Sequence, residues 1–435
     1  MNPLAKELNE TLEHAAPEVY RVLSKLGREL YFPKGILTQT AEAKHKAHRL
    51  NATIGIAKEN GEAMHLKSVM LNFAGLQPDS VLPYASSYGL QELRILWSKD
   101  LIRKNPSLKD KSISLPIVTN GVTHGLSIVG DLFVEPGDAV LLPDKVWGNY
   151  NMTYGVRREA DLLKYRFFNE AGGFDVAGLR RTLLEHAGRG KLVIVLNFPN
   201  NPTGYSVTRD EADGIARVLL DAAEAGCNIV AVCDDAYFGL FYDDECLKES
   251  LFCRLAGLHK RVLAIKLDGA TKEDFVWGFR VGFITLAASP AAGVHEALEK
   301  KIGGAVRGAI SNCPLVSQTI VLRAMSTASY EDEKKAKFDI LRSRALKVRE
   351  VLAQERYAEA WTPYPFNAGY FMCLRMKSVN AEEFRVRLLD QYGIGVISVG
   401  DTDIRVAFSC VEERDIPDLF DVMFQCAREM TQRKR

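Results

Sequence analysis

A chain of 435 residues, 47% hydrophobic and 26% charged with a formal net charge of +1, has a globular composition and is too long for one simple core. Its basic residues are scattered, which excludes a nucleic-acid footprint and an electrostatic membrane anchor. Eight cysteines occur singly without a CxxC pair, and no apolar stretch approaches the roughly 20 residues of a bilayer span, so no disulfide framework, metal site or transmembrane segment is expected.

The first residues, Met1 to Glu7, mix charged and apolar side chains and make no signal peptide, so a cytoplasmic protein with reduced thiols is expected. Asn51-Ala52-Thr53-Ile54-Gly55 has no place in an alternating strand–helix pattern. From residue 114 to about 288 that pattern holds. Residues 115–119 predict a short buried strand, 121–133 a helix and 139–142 a strand. Residues 192–196, 229–232 and 262–265 are continuous apolar runs bounded by turns, and 210–225 has helical periodicity. Such runs read as strands covered on both faces, as in a mostly parallel sheet, and their alternation with helices predicts an α/β domain. Ligands sit at the carboxyl ends of the strands in such sheets. After residue 326 the pattern changes. Residues 330–354 predict one long charged helix, followed by short strands at 369–374, 394–399 and 403–408 and a last helix from about 412. The expected division is a large domain at 71–326, and a small α+β domain built from 1–70 together with 327–435.

Several strand ends carry residues suited to chemistry. Lys272, in Asp268-Gly269-Ala270-Thr271-Lys272, follows the run at 262–265. A lysine there either reaches solvent or serves as a reactive amine; burial lowers its pKa, which suits Schiff-base formation and proton transfer. Arg280 follows eight residues later, in Gly278-Phe279-Arg280-Val281-Gly282. Asp234 ends the strand at 229–233, where a buried carboxylate needs a partner, and Tyr237 shares its turn. Asn201-Pro202-Thr203-Gly204 follows another strand, although its composition alone is that of a common turn. Asn120-Gly121-Val122-Thr123 opens a helix, whose free N–H groups and dipole suit a phosphate. Trp147 follows the strand at 139–142.

Taken in order, these pieces resemble the fold-type I, pyridoxal-phosphate-dependent aminotransferases (class I/II, aspartate aminotransferase-like) over about residues 55–405. The resemblance implies the corresponding fold: a large domain with a mostly parallel sheet flanked by helices, plus a smaller α+β domain. It implies pyridoxal 5′-phosphate as cofactor and Lys272 as its Schiff-base lysine. It implies Asp234 as partner of the protonated pyridine nitrogen, with Tyr237 and Asn201 bonding the phenolic oxygen. Arg280 and the helix start at Gly121, Val122 and Thr123 would hold the phosphate, and Trp147 would stack on the ring. The chain departs at Gly269, where many members have a serine that touches the phosphate; Thr271 is a candidate substitute. Pro83-Tyr84 with Tyr88-Gly89-Leu90-Gln91-Glu92-Leu93-Arg94 resembles the segment whose tyrosine reaches the neighbouring subunit's phosphate. Tyr84 thus implies a homodimer with shared active sites. Arg405 matches the arginine that binds the substrate α-carboxylate, and Gly55 would add a backbone contact. Arg307 opens Arg307-Gly308-Ala309-Ile310-Ser311-Asn312-Cys313-Pro314, which resembles the Arg-xxx-Ser-Asn-Pro-Pro segment that supplies the partner's arginine to a distal carboxylate; Cys313 replaces a proline.

The resemblance therefore implies an aminotransferase that favours aspartate or glutamate and a 2-oxo acid as its small-molecule partners. Two alternatives stay open at this point. A β-lyase or amino-acid decarboxylase would use the same cofactor on another bond. A non-catalytic sensor or scaffold would bind the cofactor without turnover.

Overall fold

The computed structural model describes residues 1–33 and 35–432. Its centre is a seven-stranded sheet whose spatial order is Ile117–Asn120, Val281–Ala287, Val262–Asp268, Asn228–Asp234, Lys191–Asn197, Ala139–Pro143 and Asp161–Tyr165. The five strands from Val262–Asp268 to Asp161–Tyr165 pair in parallel. Val281–Ala287 is antiparallel to both of its neighbours. The apolar runs form these strands because both faces are covered. Val122, Leu126 and Val129 of the helix Gly121–Phe133 pack on one face with Val193, Val232 and Ile265. Ile215 and Leu219 of Arg209–Glu224 pack on the other with Ile194, Ala231 and Ala264. Each such buried Leu or Ile contributes about 1.5–3 kcal/mol of apolar transfer. Thr208 and Glu211 form a capping box that starts the second of these helices where the turn after Asn201 ends.

Register decides what the sheet presents. Asn197 lies beside Asp234, and Asp234 beside Leu267, so the ends of three strands finish level with one another. The turn carrying Lys272 begins immediately past this line, in the four-residue helix Ala270–Glu273.

The long helix Tyr330–Leu352 leads to a four-stranded antiparallel sheet ordered Trp361–Pro363, Met372–Met376, Asp403–Val406, Ile397–Val399. All three expected strands differ in detail, the one at 403–408 ending at Val406 before a 3₁₀ turn at Phe408–Cys410. The one expected at 369–374 begins only at Met372, because Gly369 takes φ +73° and its N–H donates to the Leu240 carbonyl. The one expected at 394–399 divides: Ile394–Gly395 pairs in parallel with Leu50–Asn51, and Ile397–Val399 pairs with Asp403–Val406. The helix Ile416–Gln432 closes this region. One apolar cluster runs from Val118 and Phe283 of the central sheet through Tyr370 and Phe371 to Leu374 and Phe408.

The N-terminal helices touch both regions. Lys25 pairs with Glu159, and Asn151 donates to the Tyr31 hydroxyl. Beyond them, Gln39 bonds Ser398 and Lys46 pairs with Asp390. Among the described residues no helix is long and apolar enough to cross a membrane.

Candidate functional site

Where the level strand ends meet Asp403–Val406, residues from both sheets enclose a cavity of about 180 Å³. Gly55, Val122, Thr123, Trp147, Asn201, Asp234, Tyr237, Lys272, Arg280 and Arg405 all border it. These ten predicted residues come from widely separated parts of the chain and meet at one place.

One end of the cavity is built for an anion. Arg280 sits at φ +57°, a left-handed conformation costly for a residue with a side chain, and its guanidinium lies against Gly121. Gly121 itself has φ +74°, and a Cβ there would come within 2.4 Å of Arg280 Nη2. Only glycine lets the helix N-terminus and the guanidinium face the same space. Thr271 Oγ1 is buried there without a hydrogen-bond partner among the described residues. A phosphate would satisfy it, together with the N–H groups that open Gly121–Phe133.

Asp234 stands in the middle. Its Oδ2 accepts from the Tyr150 hydroxyl at 2.6 Å and its Oδ1 from the Ala236 N–H at 3.1 Å. Its carbonyl accepts from Asn197 Nδ2 at 2.9 Å, and the Asn201 N–H donates to Asn197 Oδ1 at 2.9 Å. Burial pushes the Asp234 carboxyl up, against the opposing pull of Tyr150 and Lys272. A group so placed favours a cationic ring nitrogen as partner. Trp147 lies half-buried beside it, its ring edge-on to Tyr150 at 5.6 Å.

Lys272 Nζ lies 5.0 Å from the Tyr237 ring centroid. Burial lowers its pKa to about 8, with Asp234 opposing and Arg280 assisting. About one-tenth is therefore a neutral, nucleophilic amine at pH 7, far more than for an ordinary lysine. Arg405, only 1% exposed, has Nη1 on Asn201 Oδ1 at 3.1 Å and Nη2 on the Thr53 carbonyl at 2.7 Å. It lies 4.1 Å over the Phe371 ring, and its Nε is buried without a partner among the described residues. Among the described residues no carboxylate pairs with this buried guanidinium, whose planar fork suits one. Gly55 faces Phe371 and Tyr237, where an added Cβ would come within 3.4 Å of the phenylalanine.

Two predicted residues lie elsewhere on the chain. Tyr84 is 91% exposed, and Arg307 is exposed at the end of Val294–Ile310, its Nη1 on Ser311 Oγ at 2.6 Å. Neither borders the cavity of its own chain. Conversely, Ile36, Tyr150, Asn197, Ala236, Thr271 and Phe371 line the cavity, and of these only Thr271 figured in the sequence reading. Tyr150 had a signal in its spacing of one helical turn from Trp147; Ile36 and Phe371 had none. A more open cleft of about 480 Å³ beside Phe238, Phe241 and Phe338 holds none of the predicted residues. No cluster of three or more His, Cys, Asp or Glu side chains suited to a metal occurs among the described residues.

The profile described as aminotransferase class I and II matches residues 53–422. An aspartate aminotransferase of Sulfurisphaera tokodaii is 24% identical over 348 residues, covering 77% of this chain and 79% of that protein. A probable N-acetyl-LL-diaminopimelate aminotransferase of Bacillus subtilis is 20% identical, covering 76% and 78%. The crystal structure of an aminotransferase from Anaerococcus prevotii superposes with a TM-score of 0.83 at 22% identity, covering 93% of this chain and 98% of that one.

Proposed function

The chain belongs to the class I and II aminotransferase family, whose members generally use pyridoxal 5′-phosphate, and from that premise we propose that it transfers the amino group of an acidic L-amino acid, aspartate or glutamate, to a 2-oxo acid. The observation that carries the reading is the facing of Lys272, Asp234, Arg280 and Arg405 around one cavity.

The residues present fit the cofactor. The orphaned Thr271 hydroxyl, the Gly121 cradle and Arg280 suit its phosphate. Asp234 suits its ring nitrogen, Trp147 its face, Tyr237 and Asn201 its phenolic oxygen, and Lys272 its aldehyde. When bound, the cofactor supplies an electron sink for the pair left at the substrate Cα. The chain's own groups do the rest. Arg405 clamps the α-carboxylate, and with it sets which bond at Cα faces Lys272. Lys272 Nζ, in its neutral form, removes the proton at Cα and later returns one. Phe371, Ile36 and Trp147 give the cavity apolar walls that exclude water. Arg405→Gln is expected to lower kcat/KM by about 100-fold, mostly through KM, because the neutral amide cannot hold a carboxylate by a charged fork. Steady-state kinetics check this, and a loss confined to kcat would contradict it.

The acidic preference rests on Arg307. Among the described residues, Lys272, Arg280 and Arg405 are the cations bordering the cavity, and each already has a task. A side-chain carboxylate needs a further one. Met70, Leu71, Phe73, Leu82 and Tyr84 form an exposed apolar stretch, which supports a homodimer that brings Tyr84 and Arg307 to the partner's cavity. Arg307→Ala is expected to lower kcat/KM for aspartate by about 100-fold and for an aromatic donor by less than about threefold. Equal losses for both donors would remove the acidic assignment. Product analysis is expected to pair each 2-oxo acid formed with one new amino acid; ammonia, sulfide or carbon dioxide in their place would contradict transamination.

We further read the enzyme as cytoplasmic, since its eight cysteines are all free. Residues 71–326 are read as the cofactor-bearing domain, with 1–70 and 327–435 as the smaller one.

A further inference from the structure

Lys272 lies on a helix of only four residues, Ala270–Glu273. One turn does not persist on its own hydrogen bonds, so contacts from outside must hold it. They come from three directions. The Tyr370 hydroxyl donates to the Lys272 carbonyl at 3.0 Å. Lys104, from the helix Gln91–Lys104, reaches Glu273 Oε1 at 2.5 Å. Lys334, from the first turns of Tyr330–Leu352, reaches the same oxygen at 2.8 Å and Asp274 at 3.1 Å. Tyr330 donates to Asp274 Oδ1 at 2.5 Å. Glu273 is only 8% exposed, although it follows directly on a residue that faces the cavity.

These groups belong to a larger buried set. Lys104 also pairs with Asp100, and its ammonium lies 5.0 Å from the centroid of Trp97, whose Nε1 donates to Asp268. Asp268 in turn pairs with Lys266, which holds Asp235, the residue after Asp234. The chain neighbours of both Asp234 and Lys272 are thus fixed in one connected charge cluster. Burial alone would raise the Glu273 carboxyl, but Lys104 and Lys334 override it and hold it well below the usual carboxylate range. The cluster is costly to assemble, and breaking one member leaves charges buried and unpaired.

Resting on the reading of Lys272 as the reactive amine, we propose that Glu273 is a positioning residue: gripped by Lys104 and Lys334, it sets the direction in which Lys272 enters the cavity. It touches neither substrate nor cofactor. Its effect falls on the chemical step, since a displacement of about 1 Å at a reacting group costs up to about 100-fold.

The test compares Glu273→Gln and Glu273→Asp with the parent, each loaded with pyridoxal phosphate and assayed well below its melting point. Rates are taken per cofactor-bearing subunit, and cofactor affinity is read from an absorbance titration. Both variants are expected to lose about 30-fold in kcat, with KM and cofactor Kd within about threefold of the parent. Aspartate keeps the charge but withdraws it by one methylene, so it is expected not to rescue. Restoration of the parent kcat by Glu273→Asp, or equal kcat in all three, would overturn the proposal. So would a loss that lies in KM or cofactor affinity alone. Where the charge variants fail to fold, Tyr370→Phe removes only the hydroxyl on the Lys272 carbonyl and is expected to cost about tenfold in kcat; a parent-like kcat there would count against the proposal. A parent chain that takes up no cofactor would overturn the functional reading, and that failure shows in the parent trace.

Discussion

Lys272→Ala is expected to lower amino-group transfer by about 10⁴-fold, the upper end of what one proton-transferring group supplies. On the proposed function the loss is this large because Lys272 would serve twice, as the amine for the cofactor's aldehyde and as the base at Cα. Alanine replaces neither role, and Tyr237 cannot stand in, because burial raises its phenol pKa further and keeps the hydroxyl protonated. Measuring the amino-group transfer rate in a single turnover checks it, since product release then drops out. In the cofactor-free protein the side chain has the opposite effect on stability. Burial, opposed by Asp234 and helped by Arg280, brings the amine from 10.5 down to about 8. The unfolded chain therefore binds the proton more tightly. The resulting penalty is constant below about pH 8 and fades as the pH rises toward 10.5. Lys272→Met is expected to stabilise the cofactor-free protein by about 2–3 kcal/mol at pH 7, with the gain shrinking above pH 8 in urea titrations. A gain that grows with pH would contradict this account of the site.

Asp234→Asn is expected to lower kcat by about 10³-fold, the cost of removing one preorganised charge from a dry site. The carboxylate is held from both sides, by the Tyr150 hydroxyl on Oδ2 and the Ala236 N–H on Oδ1. The strand pairing with Lys191–Asn197 fixes the backbone beneath it. Asparagine keeps the size and the Tyr150 bond but cannot balance a protonated ring nitrogen. The loss is expected in kcat for every amino donor alike, because the ring nitrogen is remote from the donor's side chain. Steady-state kinetics over a donor panel check this. A loss below about tenfold, or one that depends on the donor, would show that Asp234 serves only to hold its turn.

Much of the central sheet was legible from the runs at 192–196, 229–232 and 262–265, because strands covered on both faces leave long apolar stretches with turns between them. Lys272, Asp234 and Asn201 follow such strands at the end where ligands sit, but it was the family resemblance that singled them out, and the structure brings them to one cavity. Ile394–Gly395 and Ile397–Val399 look continuous in sequence, yet the backbone changes partner at Val396, and nothing local announces that. Phe371 and Ile36 reach the cavity through loop geometry and a distant helix, with no periodicity to betray them. Nothing in the sequence around Glu273 and Asp274 sets them apart from solvated charges. Only the arrival of Lys104 and Lys334 from helices far along the chain makes them buried ones.

The most direct test is an absorbance spectrum of the purified protein with pyridoxal phosphate, recorded before and after each amino acid, beside Lys272→Ala. A cofactor band in the parent is expected to convert to that of the aminated cofactor, fastest with aspartate or glutamate, with no comparable conversion in the variant. A parent that shows no cofactor band after loading, or a Lys272→Ala protein that converts at the parent's rate, would contradict it.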